Sequence, residues 1–477
     1  MQNKEKKPNI LFLSIDALRA KNLGCFGYNR NTSPNIDSYS KEGVQFNNFF
    51  SSYNNTHKSF LSVLGGRHIL AQDFELYPSK NEMNSFFNTG GVLLPEILKR
   101  NGYKTFFLRK LFGWEKIGFD YYYEQESQDK SKKWSFIRFL KKIPAVYNSA
   151  QYALHHFYFI PKKLESDIRF NPNGEKSTEE AIKKIKENKD NPFFLWLHYS
   201  EAHLPYIFPH SFRNKFVPEK KGEKIFDILK LNNHNPKDIS FLKNCWKAND
   251  TVEDVIAQYD TAVSYEDFLI SKIINTLKDE KLLENTIIFI FADHGISLGE
   301  HNVYSSNCGA YDESFNIPLI IYGDGVPKDR KINSLAQLED IAPTVLDLIG
   351  IKYDPLFFDG ESLLPLINQE KKELRNSILL EESVNGLRRR ALRTLKYKYM
   401  ESPDPEHLKC ALCNTTHGER FALYDLENDP QETINLAEKD KKNLNLMKKE
   451  MENFIKYKQT LNEQRRIKTL VKKWKQK

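Results

Sequence analysis

Short, uninterrupted apolar runs recur along the chain and predict buried strands. Asn9–Ile15 and Thr286–Ala292 each end directly at an aspartate, and a similar run covers residues 192–197. Continuous apolar runs of this length are typical of strands that are buried on both faces of a sheet. Between them, residues 176–188 and 253–277 carry apolar positions every three or four residues, which predicts amphipathic helices. Strands that alternate with helices predict an α/β protein built on a layered sheet.

The same pattern divides the chain into three parts. Residues 1–375 hold the strand and helix alternation and are predicted to form the main domain. Within it, residues 121–169 are rich in Tyr, Phe, Lys and His without a clear period, and are interpreted as an insertion or lid; a packed irregular segment is the alternative. Residues 376–440 carry strand-like runs and predict a small antiparallel subdomain with a helix. Residues 441–477 predict a basic, amphipathic helical tail.

Most of the positive charge lies in the tail. The 477 residues carry a net charge of +8, but residues 441–477 hold 13 Lys and Arg against 3 Glu, a net of +10, which leaves −2 for the rest. A nucleic-acid-binding surface would place its positive charge within the fold, so we expect no nucleic acid partner. A basic amphipathic helix suits an anionic membrane surface. The alternative is a solvated helix whose apolar stripe packs on the body.

The composition also limits the location of the protein. No stretch approaches the ~20 apolar residues that a membrane span needs. The N-terminal residues MQNKEKKPNI lack the apolar core of a signal peptide, and five cysteines do not make a disulfide framework. The sequence therefore predicts a cytoplasmic protein, peripheral on the inner membrane face if the tail binds lipid. In that case a lipid-linked glycan precursor is one predicted substrate.

Chemically useful residues follow two of the predicted strands. Asp16 ends the first run, and Asp293 and His294 end the run at 286–292. Active sites of α/β sheets gather at the carboxyl ends of strands. Carboxylates suit a hard cation and imidazole suits zinc or manganese, so the three residues predict a divalent metal site. A purely structural, hydrogen-bonding role is the alternative for such a short motif.

The surrounding segments follow the order of a known family. Residues 8–28 read PNILFLSIDALRAKNLGCFGY, and TSPNID, EGVQF and THKSFLSVLGGRH follow, then HYSEAHLPY, FADHGISLGEH, YDESFNIPLIIYG and LYDLENDPQETINLA. Across residues 8–440 this ordered set resembles the sulfatase family of the alkaline phosphatase superfamily. The resemblance implies an α/β fold in which a large mixed sheet lies between helices. A small antiparallel sheet with a helix is expected to follow it.

The family's reactive position falls on Thr56. In sulfatases the resemblance implies a Cys or Ser there, which is converted into formylglycine. Because threonine lacks the unsubstituted Cβ that the aldehyde requires, we expect no formylglycine. The Thr-nucleophile relatives of the superfamily, phosphoethanolamine or phosphoglycerol transferases and phosphodiesterases, use an unmodified hydroxyl that a metal activates. A helix N-cap is the alternative role for Thr56.

The resemblance also implies the other site residues. Asp16, Thr56, Asp293 and His294 are predicted to hold one divalent metal ion, Mn, Mg, Ca or Zn. His203 is predicted to protonate the leaving group, with a backbone-bonded histidine as the alternative. Two residues are predicted to bind the substrate, against ordinary solvated or structural roles: Lys110 and His301. The chain departs from the family at four places, where it has Ala17, Phe60, Phe112 and the pair Asn307–Cys308.

These departures favour one of three functions. The leading hypothesis is a metal-dependent hydrolase or transferase of phosphate-type esters, a diester or a phospho-alcohol, with a Thr nucleophile. The alternatives are a sulfuric ester hydrolase and a non-catalytic family member that binds a glycan or a membrane. A separate motif, Cys410-x-x-Cys413 with His417 nearby, has no second pair, so ordinary free or surface thiols are expected rather than a zinc site.

Overall fold

A computed structural model describes residues 7–68, 70, 80–109, 113–123, 174–218, 221–232, 234–411, 414 and 416–475. Lys110, Phe112, Cys413 and most of the predicted insertion lie outside the described residues. The α-helices are α1 Pro34–Lys41, α2 Thr56–Gly65, α3 Lys80–Asn88, α4 Leu94–Arg100, α5 Gly174–Glu187, α6 Ile225–Leu231, α7 Pro236–Cys245, α8 Val252–Asp279, α9 Asp312–Phe315, α10 Ile341–Leu348, α11 Leu364–Ile367 and α12 Lys441–Lys475. The strands are β1 Asn9–Ile15, β2 Gly43–Phe46, β3 Phe49–Phe50, β4 Lys104–Leu108, β5 Tyr121–Tyr122, β6 Phe193–Tyr199, β7 Thr286–Ala292, β8 Ser297–Leu298, β9 Tyr304–Ser306, β10 Leu319–Gly323, β11 Arg330–Ile332, β12 Ala336–Gln337, β13 Ile378–Val384, β14 Leu387–Arg393, β15 Tyr397–Glu401 and β16 Phe421–Asp425.

The main sheet is mixed and has its most apolar strand near its centre. Its strand order is β11-β2-β10-β7-β1-β6-β4-β5, and β1 pairs in parallel with both β6 and β7. Every residue of β1 is buried, which explains why its sequence is apolar on both faces. Strand β10 runs antiparallel to β7 and β2. The predicted α/β fold with a large mixed sheet and flanking helices is confirmed.

The longest helix of the main domain shows how the sequence sets its local structure. Thr251 caps α8: its hydroxyl accepts a hydrogen bond from the Asp254 backbone N–H at 3.3 Å, and the Asp254 carboxylate accepts from the Thr251 N–H at 3.0 Å. This capping box satisfies two donors that a helix N-terminus otherwise leaves without partners. Further along α8, Tyr259 donates its hydroxyl proton to the Ala17 carbonyl at 2.9 Å and thereby supports the loop after β1.

A second, smaller sheet follows the main domain. Strands β13, β14, β15 and β16 pair antiparallel in that order, as expected for the C-terminal part. The tail helix α12 packs on this sheet through Met447 and Met451, which lie in one apolar cluster with Leu392, Tyr399 and Leu423. The first half of the tail therefore packs on the body, the alternative given above for its apolar stripe. No helix among the described residues has the length and apolar character to cross a membrane.

Candidate active site

Three neighbouring strands bring four polar side chains to one edge of the main sheet. Asp16 follows β1, His198 lies at the end of β6, and Asp293 and His294 follow β7. The strands are parallel, with Ser14 opposite His198 and Ile15 opposite Ala292, so their carboxyl ends coincide. All four side chains are buried. We call these four residues the strand-end cluster.

The polar atoms of the strand-end cluster surround one small volume. His294 Nε2 lies 3.4 Å from Asp16 Oδ1 and 3.8 Å from Asp293 Oδ2. His198 Nε2 lies 3.6 Å from Asp16 Oδ2 and 4.0 Å from Asp293 Oδ2. Ligands at about 2.0–2.4 Å from a single ion stand about 3–4 Å from one another. The spacing of these atoms therefore fits a shared divalent cation better than direct hydrogen bonds.

Three of these atoms lack a hydrogen-bond partner within the described part of the chain. They are Asp16 Oδ1, Asp293 Oδ2 and His198 Nε2, and all are buried. A buried carboxylate oxygen without a partner is costly, and a bound metal ion removes that cost. The observed donor set, two carboxylates with two imidazoles, thus fits a divalent metal. Imidazole ligands favour zinc or manganese over calcium.

Hydrogen bonds behind the strand-end cluster orient its side chains. His294 Nδ1 lies 2.8 Å from the Gly295 carbonyl, which favours a proton on Nδ1 and leaves Nε2 facing the carboxylates. His198 Nδ1 lies 2.7 Å from the Ser14 hydroxyl, so its Nε2 also faces inward. Asp293 Oδ1 accepts from the His294 N–H at 2.9 Å and is thereby occupied, while Oδ2 points to the cluster.

The electrostatics keep Asp16 and His198 in the protonation states that metal ligands need. Burial by itself would raise the pKa of Asp16, but the nearby imidazoles of His203, His198 and His294 hold it well below its ordinary value. Burial, followed by the charge of Arg109, lowers the pKa of His198. The result is a carboxylate beside a neutral imidazole, which are the ligand forms of both groups.

Thr56 is the first residue of α2, and its hydroxyl faces the strand-end cluster. Thr56 Oγ1 lies 3.4 Å from His294 Nε2. The N-cap of this helix is Asn55, whose side chain accepts from the Lys58 backbone N–H at 3.1 Å. The alternative role of Thr56 as N-cap is therefore wrong. Its position at the start of a helix places it where backbone N–H groups and the helix dipole favour an anion.

The other predicted residues lie at different distances from this centre. His203 Nδ1 lies 2.8 Å from the Leu204 carbonyl, and its charge acts on Asp16, so it belongs to the surroundings of the cluster. His301 stacks on Tyr311 with ring centroids 3.6 Å apart, and its Nε2 lies 3.7 Å from Glu313 Oε2. These contacts link His301 to α9 rather than to the strand-end cluster. The role of Lys110 stays a prediction.

Arg109 is a site residue that the sequence interpretation missed. Its Nη2 lies 3.7 Å from Asp16 Oδ2, and its guanidinium lies over the Phe60 ring at 5.3 Å from the centroid. Arg109 Nη1 is buried and has no hydrogen-bond partner among the residues described. Phe60 occupies the position where the resemblance implies an arginine, and Arg109, directly after β4, brings a guanidinium next to it. Its signal in the sequence was an arginine directly before Lys110, at the end of a strand-like run.

His198 was missed for a similar reason. The sequence placed it at the end of an apolar run, yet only His203 was assigned a role. The pairing of β6 beside β1 brings His198 next to Asp16. The residue after Asp16 is Ala17, where the resemblance implies a second aspartate. The rule that strand ends carry chemistry would have included His198 once the two strands were known to be neighbours.

Comparisons with known proteins find related families, sequences and folds. The sulfatase family model matches residues 8–351, and a model described as N-sulphoglucosamine sulphohydrolase, C-terminal, matches residues 299–460. Iduronate 2-sulfatase of Mus musculus is 27% identical over 401 residues, which cover 73% of this chain and 69% of that protein. A protein solved with its substrate D-glucosamine-2-N,6-O-disulfate has a TM-score of 0.67 at 19% identity, covering 96% and 99% of the two chains. The phosphonate monoester hydrolase of Agrobacterium radiobacter has a TM-score of 0.64 at 17% identity, covering 96% of each chain.

The fold and the site define an enzyme of the alkaline phosphatase-like superfamily. A mixed sheet carries acidic and imidazole side chains at its strand ends, and Thr56 begins a helix beside them. More particularly, the chain belongs to the sulfatase family, because the family model spans residues 8–351. It is therefore a sulfatase-family hydrolase, and the alternative of a non-catalytic binding protein is not supported.

Two predictions need correction in the light of these relatives. The exclusion of formylglycine is contradicted, because the related proteins are sulfatases, the class whose activity depends on formylglycine at the position of Thr56. The preference for phosphate-type esters is also not confirmed, since the alternative of a sulfuric ester hydrolase fits the same relatives better.

Proposed function

We propose that this protein hydrolyses sulfate esters of sugars at the strand-end cluster. The observation that carries the proposal is the set of buried, unsatisfied ligand atoms on Asp16, His198 and Asp293, with the reactive position 56 beside them. Support for a sugar comes from a structural relative that was solved with a sulfated glucosamine and from a relative named iduronate 2-sulfatase.

The charges of the site suit a singly charged ester. Asp16 and Asp293 contribute two negative charges, and a divalent cation held by the strand-end cluster would balance them and polarise an oxygen of the ester. Arg109 then adds one positive charge, so the site as a whole is complementary to a monoanion. A sulfate monoester carries one negative charge, whereas a phosphate monoester carries close to two at neutral pH.

Each remaining residue has a defined task in this proposal. The residue at position 56 presents the nucleophilic oxygen, at a helix start that favours an anionic substrate. Arg109 Nη1, which is buried and lacks a partner in the described part of the chain, donates to a non-bridging oxygen of the ester. His203 protonates the leaving oxygen, as its position near Asp16 allows.

A second candidate function is the hydrolysis of phosphonate monoesters or phosphate diesters. Both substrates are monoanions, so the same charges accommodate them. The specific observation in its favour is the structural likeness to a phosphonate monoester hydrolase, with a TM-score of 0.64. Likeness at this level of identity shows the fold alone, so the substrate must be determined by assay.

The test is a substrate panel with matched variants. The full chain is assayed with added manganese, zinc, magnesium or calcium on nitrophenyl sulfate, a phosphonate monoester, bis-nitrophenyl phosphate and D-glucosamine-2-N,6-O-disulfate. Mass spectrometry of the peptide that contains position 56 records the chemical form of that residue in the protein assayed. We expect sulfate ester turnover that Thr56→Ala lowers by at least about a thousand-fold.

Arg109→Lys sharpens the test, because lysine keeps the charge but loses the planar fork. We expect kcat/KM for the sulfate ester to fall about tenfold or more, while metal binding stays unchanged. Faster turnover of the phosphonate or diester than of any sulfate ester would favour the second candidate. Sulfate turnover that Thr56→Ala leaves unchanged would overturn the assignment of the site.

A further inference from the structure

Two cysteines and a histidine from distant parts of the chain meet at the boundary of the two sheets. Cys308 lies between β9 and α9 in the main domain, while Cys410 and His417 lie in the connection between β15 and β16. Their ligand atoms all lie within 4.8 Å of one another, and all three residues are buried. Of the two expectations for Cys410, a free thiol or a surface thiol, its burial excludes the surface position.

We propose that Cys308, Cys410 and His417 bind a zinc ion through three protein ligands, separate from the catalytic site. The Cys308 and Cys410 sulfur atoms are 3.8 Å apart. Two thiolates at about 2.3 Å from a tetrahedral zinc ion stand about 3.8 Å from each other, which matches this distance. A disulfide would need a separation of about 2.05 Å.

The environment of the three residues suits zinc. Cys308 and Cys410 share a buried apolar cluster with Val303, Val384 and Leu387. The Ser306 hydroxyl and the Asn385 side chain donate to Cys308 Sγ at 3.1 and 3.6 Å, which stabilises a thiolate. Zn²⁺ with two thiolates and a neutral imidazole carries no net charge, so the group tolerates such a pocket. Binding releases the two thiol protons to water, so the zinc affinity falls as the pH is lowered.

The zinc ion would connect the small sheet to the loop next to the reactive position. Asn307, the neighbour of Cys308, accepts a hydrogen bond from the Asn54 side chain at 2.7 Å through its backbone carbonyl. The Asn307 side chain in turn donates to the Asn54 carbonyl. Asn54 precedes Thr56 by two residues. Fixing Cys308 therefore steadies the segment that leads into α2, while His417 is held by its N–H bond to the Leu408 carbonyl at 2.9 Å.

Cobalt substitution tests this proposal in the full chain, because Co²⁺ bound to thiolates shows a charge-transfer absorption in the near ultraviolet. The strand-end cluster offers only oxygen and nitrogen ligands and does not give this band. We expect one equivalent of the band per chain in the wild type and in Asp293→Asn. Cys308→Ser and Cys410→Ser should lose the band. His417→Ala should lower the affinity for cobalt at least tenfold. The matched control Cys245→Ser should keep the band.

Metal analysis of the protein as purified gives a second measurement. We expect one zinc per chain that persists in Asp293→Asn and is absent from Cys308→Ser, with a lower melting temperature in the latter. If a serine variant fails to fold, the cobalt band and the zinc content of the wild type test the proposal. The absence of the band at saturating cobalt, or a disulfide between Cys308 and Cys410 found by mass spectrometry, overturns the proposal. Loss of ester turnover with the band intact bears on the catalytic site and leaves the zinc site standing.

Discussion

Buried carboxylates occur in two regions of the molecule, and their surroundings differ. In the strand-end cluster, Asp16 and Asp293 each keep one oxygen without a hydrogen-bond partner among the described residues. Where the tail helix meets the body, Asp359 binds Arg465 at 2.7 Å and Lys458 at 3.3 Å. We call this second group the tail junction. At the tail junction, Arg465 and Lys458 neutralise the charge of Asp359. In the strand-end cluster, Arg109 lies 3.7 Å from Asp16, and one oxygen of each aspartate stays available to a cation. The tail junction therefore serves stability, whereas the strand-end cluster suits function.

The largest expected effect is that of Asp293→Asn in the strand-end cluster. Loss of one ligand charge should lower the metal affinity and reduce kcat/KM by at least about a thousand-fold. Because the same charge is buried without a cation in the metal-free protein, its removal should raise the free energy of unfolding of that form by about 1 kcal/mol. Metal titration, steady-state kinetics and urea unfolding in the presence of a chelator measure these effects. A destabilised metal-free variant would contradict this account of the cluster.

The opposite result is expected at the tail junction. Arg465→Met leaves the Asp359 carboxylate with Lys458 and the His68 backbone N–H, and also removes hydrogen bonds to the Leu356 and Phe358 carbonyls. The free energy of unfolding should fall by about 3–5 kcal/mol, because breaking a buried ion pair leaves a charge with too little compensation. Urea unfolding measures the loss, and the folded variant should keep its kcat.

The control for this variant is Arg466→Met on the same helix. Arg466 pairs with Glu463 at 2.6 Å, but both side chains are more than half exposed, at 54% and 53%. An exposed pair of this kind contributes about 0–1 kcal/mol. Equal losses for Arg465→Met and Arg466→Met would show that burial does not set the strength of the tail junction.

Much of the main fold follows from local sequence patterns. The runs at Asn9–Ile15 and Thr286–Ala292 became the adjacent strands β1 and β7, so Asp16, Asp293 and His294 met as predicted from their positions after strands. The family resemblance placed Thr56 beside them, and the structure has its hydroxyl 3.4 Å from His294. Residues that directly follow a recognisable strand, or that match the order of the family motifs, could therefore be predicted from the sequence.

Residues whose position depends on the packing of distant elements could not be predicted from the sequence. His198 required knowledge that β6 lies beside β1, and Arg109 required the stacking of its guanidinium over Phe60. Cys308 and Cys410 are separated by 102 positions in the sequence, and no local motif links them. Each of these contacts depends on how distant elements pack, and apolar periodicity carries no information about that.

A further prediction concerns acid stability at the boundary of the two sheets. Burial opposes ionisation of Glu381, but a hydrogen bond with His68 and the charges of His68 and Arg390 lower the pKa of Glu381 to about 2. Because this value lies below that of the unfolded chain, the stabilisation is complete above about pH 5. It is lost as the pH falls towards 2, and amounts to about 3 kcal/mol.

Glu381→Gln removes the titrating group and should flatten this dependence. The difference in free energy of unfolding between wild type and variant should shrink as the pH is lowered from 5, as measured by urea unfolding at a series of pH values. A constant difference across that range would mean that Glu381 does not carry the acid sensitivity.

The smallest expected effect concerns the exposed end of the tail helix. Ile467, Leu470 and Trp474 are 52%, 52% and 78% exposed, in contrast to Met447 and Met451, which pack on the small sheet. Lys458 and Arg465 bind Asp359 and are therefore unavailable to a membrane surface. Lys472 and Lys473, in contrast, lie exposed beside the apolar residues. The predicted binding to an anionic membrane therefore rests on this last part of α12. Each lysine near such a surface contributes about 1 kcal/mol.

Vesicle binding of the full chain tests this prediction. Vesicles with anionic lipid should bind the wild type, with a change in Trp474 fluorescence, and binding should weaken as salt is added. Leu470→Ser should lower the apparent affinity about tenfold, since it removes one apolar anchor, while Leu446→Ser, an exposed leucine near the start of α12, should have little effect. Equal loss for both variants, or binding to neutral vesicles of the same strength, would indicate non-specific adsorption. The exposed end of the helix would then be no membrane anchor, and the tail would serve to pack on the small sheet and on Asp359.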